Sequence, residues 1–284
     1  MKDVRTVFGK MKAAKKRTAA VTAALAAVVF LAGAFNTGLR VRKYEIETEK
    51  VGAPVRIVLL ADLHAKKYGE NQKRLLRKIE KLNPDLIAIA GDLADQKEKD
   101  DGAVMLLKAI AGKYPVFYVS GNHEYLSGKP QEKKELFRSN GAILLEGACR
   151  EFTVNGQWLN ICGIDDADDG SSELERQLMA AIPENARNFS VLLSHRPEYA
   201  DVYRKFSYDL VLSGHTHGGQ WRIPFLVNGF FAPGQGWFPD YSGGAYPFED
   251  MTLIVSRGLA NSSKLPRLFN PPEIVAVDII PKTQ

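Results

Sequence analysis

The chain has 284 residues, enough for one large domain or two small ones with a well-buried core. Its formal net charge is +5, but residues 1–17 carry seven basic side chains and one acidic one, a net of +6, so the remaining residues sum to −1. A body without net positive charge lacks the electrostatic surface that nucleic acid requires, which argues against a nuclease and against nucleic acid as a partner.

An uncharged and largely apolar run, residues 18–39, follows this basic tail. About 20 such residues span a bilayer as a helix, so we expect a transmembrane anchor at residues 18–39. A cleaved signal peptide that ends near Ala32-Gly33-Ala34 and a buried amphipathic segment are the alternatives.

The distribution of basic residues also predicts an orientation, because the basic tail of an anchored protein stays in the cytoplasm. We therefore expect a single-pass protein of the cell membrane, with a linker at residues 40–52 and one extracytoplasmic domain at residues 53–284. If the apolar run is cleaved, the domain is secreted instead. The lipid bilayer is then a predicted partner, and we expect a monomer.

Beyond the linker, short apolar runs alternate with amphipathic helices. The predicted strands are residues 55–61, 86–90, 116–119, 191–193, 210–212 and 252–255, and the predicted helices are residues 71–82, 104–110, 132–137 and one that begins at Ser172. Such alternation is typical of an α/β domain built on buried strands.

The dipeptide Asn155-Gly156 predicts a tight hairpin turn between residues 152–154 and residues 158–161. If these two residues form the centre of the turn, the only two cysteines, Cys149 and Cys162, lie directly opposite each other. An oxidising extracytoplasmic location would permit a disulfide there. Two unpaired thiols are the alternative, because one β-bulge would shift the register.

All five histidines lie in short polar motifs, and a further motif supplies a carboxylate. The motifs are Asp62-Leu63-His64, Gly91-Asp92, Gly121-Asn122-His123-Glu124, Ser194-His195 and Gly214-His215-Thr216-His217. Each motif follows a predicted strand, and ligand sites of open α/β sheets gather at the carboxyl ends of strands. We therefore expect one site assembled from residues more than 150 positions apart.

Local geometry favours metal binding by these motifs. Asp62 and His64 are two residues apart, as are His215 and His217, and in extended backbone such pairs point to the same face. The glycines of the motifs are expected to let the backbone turn sharply. Oxygen and imidazole ligands without a thiolate suit Mn, Fe or Zn, and two ions that share a carboxylate accommodate all the candidate ligands. Such a pair polarises a phosphoryl group and lowers the pKa of a bridging water.

The motif series, in this order across residues 56–217, resembles the calcineurin-like metallophosphoesterase family. The resemblance implies a first metal held by Asp62, His64, Asp92 and His217, and a second held by bridging Asp92 with Asn122, His195 and His215. It also implies that His123 stands beside the scissile phosphate and helps the leaving group depart, with Asp95 as the carboxylate that orients it. Glu124 replaces the Asp that is commoner after the Asn-His pair.

The resemblance implies an α/β (α+β) fold, a four-layer α/β/β/α sandwich of two mixed sheets. The implied activity is hydrolysis of phosphate ester or pyrophosphate bonds by a metal-bridging hydroxide, with manganese among the candidate ions and phosphodiesters among the substrates. The last motif and three later segments also resemble a bacterial membrane-associated branch, some members of which hydrolyse the pyrophosphate of UDP-2,3-diacylglucosamine. These stretches are Gly214-His215-Thr216-His217-Gly218-Gly219-Gln220, Arg222-Ile223-Pro224, Val255-Ser256-Arg257-Gly258-Leu259 and Asn270-Pro271-Pro272-Glu273-Ile274. A catalytically silent metal-binding scaffold for protein partners is the alternative, and it would not need His123.

Residues 219–248 form an unusual segment, with nine of the 27 aromatic residues and only two charges, Arg222 and Asp240. One interpretation is a satellite core packed over the second sheet. The other is an apolar wall of the substrate cleft, with Trp221 and Arg222 as substrate contacts. Together with the anchor, such a wall favours a lipid-linked phosphate ester as substrate, because each buried CH₂ contributes about 0.8 kcal/mol.

Overall fold

Two six-stranded mixed sheets stack face to face in the computed structural model, which describes residues 3–97, 99–166, 171–260 and 266–282. In spatial order, the first sheet contains β1 (Arg40–Thr48), β14 (Glu273–Pro281), β2 (Val55–Leu60), β3 (Leu86–Ala90), β4 (Val116–Val119) and β5 (Ile143–Leu144). The second contains β12 (Gly244–Pro247), β13 (Thr252–Val255), β9 (Leu210–Ser213), β8 (Phe189–Leu193), β7 (Gln157–Gly163) and β6 (Ala148–Val154). A small ribbon of β10 (Phe231–Ala232) and β11 (Gly236–Trp237) lies outside both sheets.

Among the described residues there are seven α-helices, and five of them cover the outer faces of the two sheets. The helices are α1 (Asp3–Ala34), α2 (Lys73–Leu82), α3 (Asp101–Ile110), α4 (Asn122–Leu126), α5 (Pro130–Ser139), α6 (Ser171–Ala180) and α7 (Ala200–Tyr203), with 3₁₀ turns at Glu70–Gln72, Pro197–Tyr199 and His217–Gly219. Side chains of α2, α3 and α5 pack on the first sheet, and those of α6 and α7 pack on the second. The four-layer α/β/β/α sandwich is therefore confirmed.

The parallel strands are apolar along their whole length because both of their faces are buried. In β2, Ile57 and Leu59 face the core between the two sheets, whereas Val58 and Leu60 face the helices. The strands β2 to β5 run parallel, as do β7, β8, β9 and β13. Their carboxyl ends consequently gather at one edge of the sandwich.

The predicted linker at residues 40–52 is wrong for most of its length. Residues 40–48 form β1, which pairs in parallel with all nine residues of β14 at the edge of the first sheet. Tyr44 and Ile46 pack on the core between the sheets, and Val41 packs on the other side. Five of the nine residues in β1 are charged, as is common for edge strands, and these charges hide the strand pattern in the sequence.

Helix α1 contains residues 18–34 of the apolar run and ends at Ala34, five residues before the predicted end of the anchor. Within the described ranges it is the one helix long and apolar enough to cross a membrane, over Lys15–Ala34, and only 6% of that window is buried. A cleaved signal sequence can have the same length and apolar composition, so these two properties do not distinguish it from an anchor. The end of α1 touches the domain, where the ring of Phe30 lies 5.1 Å from that of Phe269.

The β6–β7 hairpin has the predicted register. Val154 pairs with Gln157 across Asn155-Gly156, and Cys149 pairs with Cys162. The two cysteines form a disulfide, so the alternative of two unpaired thiols does not describe this structure. The bridge lies on the α6 side of the sheet, whereas Leu159 and Ile161 face the core between the sheets.

The disulfide should contribute measurably to stability, because it constrains the unfolded chain. Replacing both cysteines by alanine should lower the free energy of unfolding by about 2–4 kcal/mol in urea denaturation. Reduced wild-type protein, as the control, should unfold close to the double variant. Titration of two free thiols in denatured protein purified without reductant would contradict the bridge.

Candidate metal centre

Polar residues follow the carboxyl ends of five parallel strands at one edge of the sandwich. Asp62 follows β2, Asp92 follows β3, Asn122 follows β4, His195 follows β8 and His215 follows β9. Three of these strands belong to the first sheet and two to the second, so both sheets contribute side chains to the same edge.

The backbone at this edge is left-handed, and the expectation of extended pairs is wrong. Five of the seven candidate ligands have positive φ: Asp62 (52°), His64 (47°), Asp92 (50°), His215 (73°) and His217 (49°). Non-glycine residues in this region cost about 1–3 kcal/mol each and persist where packing and hydrogen bonds hold them. The two residues of each pair therefore converge through tight turns at the strand ends.

The motif glycines serve mainly as points of close approach. Of the three, Gly91 has positive φ (83°), whereas Gly121 is extended (φ −114°), so the predicted sharp turn is absent at Gly121. A Cβ on Gly91 would lie 2.4 Å from Nδ1 of His195, and one on Gly121 would lie 2.3 Å from Oδ1 of Asp92. Any larger residue would displace a candidate ligand.

Four candidate ligands converge around Nε2 of His195. This nitrogen lies 3.1 Å from Oδ1 of Asn122, 3.1 Å from Nδ1 of His215 and 3.3 Å from Oδ2 of Asp92. These four atoms form one cluster of oxygen and nitrogen donors around a common centre.

A second cluster lies on the other side of Asp92. Ligand atoms of Asp62, His64 and His217 all lie within 4.8 Å of one another, and the His64 and His217 rings stack with centroids 5.1 Å apart. Oδ2 of Asp92 lies 3.7 Å from Nε2 of His64. The carboxylate of Asp92 thus faces both clusters.

The residues fit a pair of divalent cations. Among the described residues, Oδ2 of Asp62 and Nε2 of His64 are buried without a hydrogen-bond partner, which is costly unless a bound group satisfies them. Burial lowers the pKa of His215 and of His217 well below the usual value, which keeps both imidazoles in the neutral form that binds metals.

The electrostatics of the cluster also favour a cation. Burial raises the pKa of Asp62 to about 6. Burial would raise the pKa of Asp92 as well, but His195 outweighs it and lowers that pKa. Burial disfavours the charged form of His195, but Asp92 prevails and raises its pKa to about 10. A bound cation would take over the stabilisation of the Asp92 carboxylate from a protonated His195, because only neutral imidazole binds metal.

His123 lies beside the clusters, next to Asp95. Nδ1 of His123 lies 3.4 Å from Oδ2 of Asp95, and Nδ1 of His64 lies 3.5 Å from the same oxygen. The backbone N–H of His123 donates to Oδ1 of Asp92 at 2.8 Å. Asp95 is therefore placed to orient both histidines, one more than the sequence analysis expected.

Glu124 has a role that the sequence analysis missed. Its buried carboxylate accepts hydrogen bonds from the backbone N–H groups of Asp92 (3.0 Å), Ala94 (2.8 Å) and Gly121 (2.7 Å). Glu124 therefore ties the loop after β3 to the start of α4, which sets the positions of Asp92 and Asn122. The position of Glu124 directly after Asn122 and His123 was the feature of the sequence that could have indicated this role.

Glu198 was also missed, although it follows His195 by only three residues. Its Oε1 lies 3.6 Å from Nε2 of His215, and both atoms are buried without a hydrogen-bond partner within the described ranges. Because Nδ1 of His215 faces the other ligands, Nε2 is left to carry the proton. A carboxylate at this position favours that tautomer, as is usual behind metal-binding histidines.

Trp221 and Arg222, the two predicted substrate contacts, form hydrogen bonds with other residues of the protein. The indole N–H of Trp221 donates to the carbonyl of Pro266 at 2.9 Å, and the ring is partly exposed. The guanidinium of Arg222 donates to the carbonyl of Gly218 and to the side chain of Asn228. Their contacts with substrate stay predictions.

Removing the charge of Glu198 should weaken cation binding. Glu198→Gln should lower the affinity for Mn²⁺ by about 10–100-fold, because the amide no longer fixes the tautomer of His215. Titration calorimetry on metal-free protein measures this affinity. Glu175→Gln, an exposed carboxylate on α6, is the matched control. Equal Mn²⁺ affinity in both variants would contradict the role of Glu198.

Comparisons with known proteins relate this chain to one family. The family model of the calcineurin-like phosphoesterases matches residues 55–219. A metallophosphoesterase of Campylobacter jejuni is 32% identical over 267 residues, which cover 89% of this chain and 67% of the relative. One of Aquifex aeolicus is 31% identical over 254 residues, which cover 85% and 92%. The solved structure of TT1561 from Thermus thermophilus covers 71% of this chain and 88% of that chain, with a TM-score of 0.47 at 14% identity.

The family match extends over more than half of the chain and includes all seven candidate ligands. Its boundaries coincide with the start of β2 and the end of the turn at His217–Gly219. The chain therefore belongs to the calcineurin-like phosphoesterase family, and it is a metal-dependent phosphoester hydrolase.

Proposed function

We propose that this chain is a membrane-anchored phosphoesterase with two divalent cations that cleaves a phosphate ester or pyrophosphate bond in a substrate with an apolar group. The proposal that the site is dinuclear rests on one observation. Oδ2 of Asp92 lies 3.3 Å from Nε2 of His195 and 3.7 Å from Nε2 of His64, so a single carboxylate serves both clusters.

The ligands divide between two cations. Asp62, His64, Asp92 and His217 would hold the first, and Asp92, Asn122, His195 and His215 the second. When bound, the two cations supply electrostatic stabilisation of the phosphoryl oxygens and activation of water. The oxygen and nitrogen donors suit Mn, Fe or Zn.

His123 is the proposed proton donor to the leaving group. It is half-buried at the edge of the clusters, where a substrate phosphate has access. Oδ2 of Asp95 faces Nδ1 of this ring at 3.4 Å, which leaves Nε2 to face the departing oxygen. A positioned acid of this kind contributes about 10²–10⁴ to the rate.

A lysine-rich cavity supports a substrate with additional negative charge. The cavity, about 660 Å³, adjoins His64 and is lined by Lys66, Lys67, Lys97, Lys99 and Asp101. Its described lining therefore has an excess of positive charge beside the first cluster, although the domain as a whole is neutral. Pyrophosphates and diesters with a second anionic group fit this cavity better than simple monoesters do.

The β10–β11 ribbon supports an apolar group on the substrate. Phe231, Trp237 and Phe238 are exposed on this ribbon. The tip of the ribbon packs on Glu198, where a Cβ on Gly234 would lie 2.1 Å from Oε1. The ribbon that carries these rings therefore contacts Glu198, whose Oε1 lies 3.6 Å from Nε2 of the candidate ligand His215. Other aromatic residues of the segment, such as Tyr241 and Phe248, pack on the core of the second sheet, as the satellite-core interpretation predicts, and the apolar wall of the substrate cleft stays a proposal.

Membrane anchoring by α1 and an extracytoplasmic domain complete the proposal. The basic tail before the apolar run favours this orientation. The Cys149–Cys162 disulfide supports it further, because disulfides persist in oxidising compartments. UDP-2,3-diacylglucosamine, the pyrophosphate that some members of the resembled branch hydrolyse, has the charge and the apolar group described above.

Substitution of His123 and Asp92 tests the catalytic assignment. His123→Ala should lower kcat on an ester with a poor leaving group by about 10²–10⁴ while two equivalents of Mn²⁺ remain bound. Asp92→Asn should lose both metal and activity. Full activity of His123→Ala on that ester would contradict the assignment, and metal content by atomic emission separates the two effects.

Substrate chain length tests the apolar group. The value of kcat/KM should rise with acyl length in a series of soluble phosphate esters, by up to about 0.8 kcal/mol of binding per buried CH₂. Trp237→Ala should flatten this dependence. Trp158→Ala is the control, because Trp158 is also exposed but lies at the start of β7, away from the metal centre at the carboxyl ends of the strands. No dependence on chain length would remove the apolar group from the proposal and leave the phosphoesterase activity intact.

A further inference from the structure

A tight turn at residues 223–226 presents apolar side chains to solvent. Reciprocal hydrogen bonds between Ile223 and Val227, at 3.0 and 2.9 Å, close the turn. Phe225 at its tip is fully exposed and has a left-handed backbone (φ 68°), and Leu226 is 81% exposed. The left-handed backbone of Phe225 is strained, and exposure of its aromatic ring to water is unfavourable. Exposed apolar patches of this kind usually mark contact surfaces.

The turn is connected to the end of α1 through the segment at residues 266–270. The carbonyl of Ala34 accepts a hydrogen bond from the N–H of Phe269 at 2.8 Å. On the other side of this segment, the carbonyl of Leu268 accepts one from the N–H of Arg222 at 3.0 Å. The exposed turn is thus separated from the apolar helix by a single segment of chain.

The same segment is connected to the metal centre. Asn270 donates to the carbonyl of His217 at 2.6 Å, so the ligand, the end of α1 and the turn share one hydrogen-bonded unit. Arg40, the first residue after α1 in a strand, pairs with Glu273 at the start of β14. Because β14 is antiparallel to β2, its start lies at the edge where Asp62 follows β2. The chain therefore leaves α1 at the metal edge of the sandwich.

The composition of the turn favours a lipid bilayer over a protein as its binding partner. No charged residue occurs from residue 223 to residue 239, and residues 223–227 are all apolar. A protein partner would need complementary polar groups at the rim, whereas the headgroup and acyl boundary accepts a short apolar turn directly. Trp221, at the base of the turn, is typical of residues at the membrane interface.

We propose that residues 223–226 form a membrane-docking turn that inserts into the bilayer containing α1 and holds the metal edge of the domain against the lipid surface. The inference rests on the membrane placement of α1 in the proposed function. It adds that the active site opens toward the headgroup layer, so that a lipid-linked phosphate reaches the metals without leaving the membrane.

Site-specific fluorescence on the full chain tests the docking turn. Because Cys149 and Cys162 are bonded, a cysteine at Phe225→Cys is a unique thiol for an environment-sensitive label. The label should be quenched at least about twice as strongly as at the control position in phosphatidylcholine vesicles with nitroxides near the headgroups, because docked apolar side chains lie about 5–10 Å deep. Leu226→Cys provides a second position in the turn.

The matched control is Trp158→Cys, which replaces another exposed aromatic side chain at the edge of the second sheet away from the metals. Its label should be quenched only weakly, because position 158 lies away from the proposed docking turn. Vesicle flotation of each labelled protein separates the possible failures. If the protein floats but positions 225 and 226 are quenched no more than position 158, the docking turn is wrong and the anchor stands. If the protein does not float, the membrane placement of α1 and the docking turn both fall.

Discussion

The burial of two carboxylates among four imidazoles at one sheet edge is the constraint on which the rest of this structure depends. Asp62 and Asp92 are almost completely inaccessible to water, and a buried carboxylate is unstable unless positive charge lies next to it. The imidazole of His195, with Nε2 3.3 Å from Oδ2 of Asp92, is placed to provide part of that charge when it is protonated. Two cations would provide it fully, and the unpartnered atoms of Asp62 and His64 are placed to accept them.

The surrounding chain is arranged to tolerate this concentration of polar groups. Parallel strands from two sheets end together, which brings distant residues to one edge without long loops. Left-handed turns and close glycine contacts then aim the side chains inward. Glu124 fixes the backbone near Asp92 and Asn122, whereas Glu198 faces His215 from behind. These two carboxylates are as much a part of the centre as the ligands are.

The first and last strands of the domain begin at the same edge, which places the end of α1 near the metal centre. β1 and β14 pair along nine residues, and the segment before β14 contacts α1, Trp221 and the carbonyl of His217. The orientation of the site relative to α1 therefore depends on the C-terminal strand. A domain joined to α1 by a flexible linker would have no such fixed relation, and the short, paired connection through β1 replaces that linker.

The sequence by itself determined the family, the buried strands, the seven candidate ligands and the register of the β6–β7 hairpin. These features depend on local patterns: apolar runs, motif spacing and the Asn155-Gly156 turn. Tertiary structure alone decided that β1 is a strand, because its charged sequence becomes ordered only by pairing with β14, more than 220 residues away. It also decided the left-handed backbone of the ligands and the roles of Glu124 and Glu198, since these depend on contacts between elements and not on neighbours in the chain.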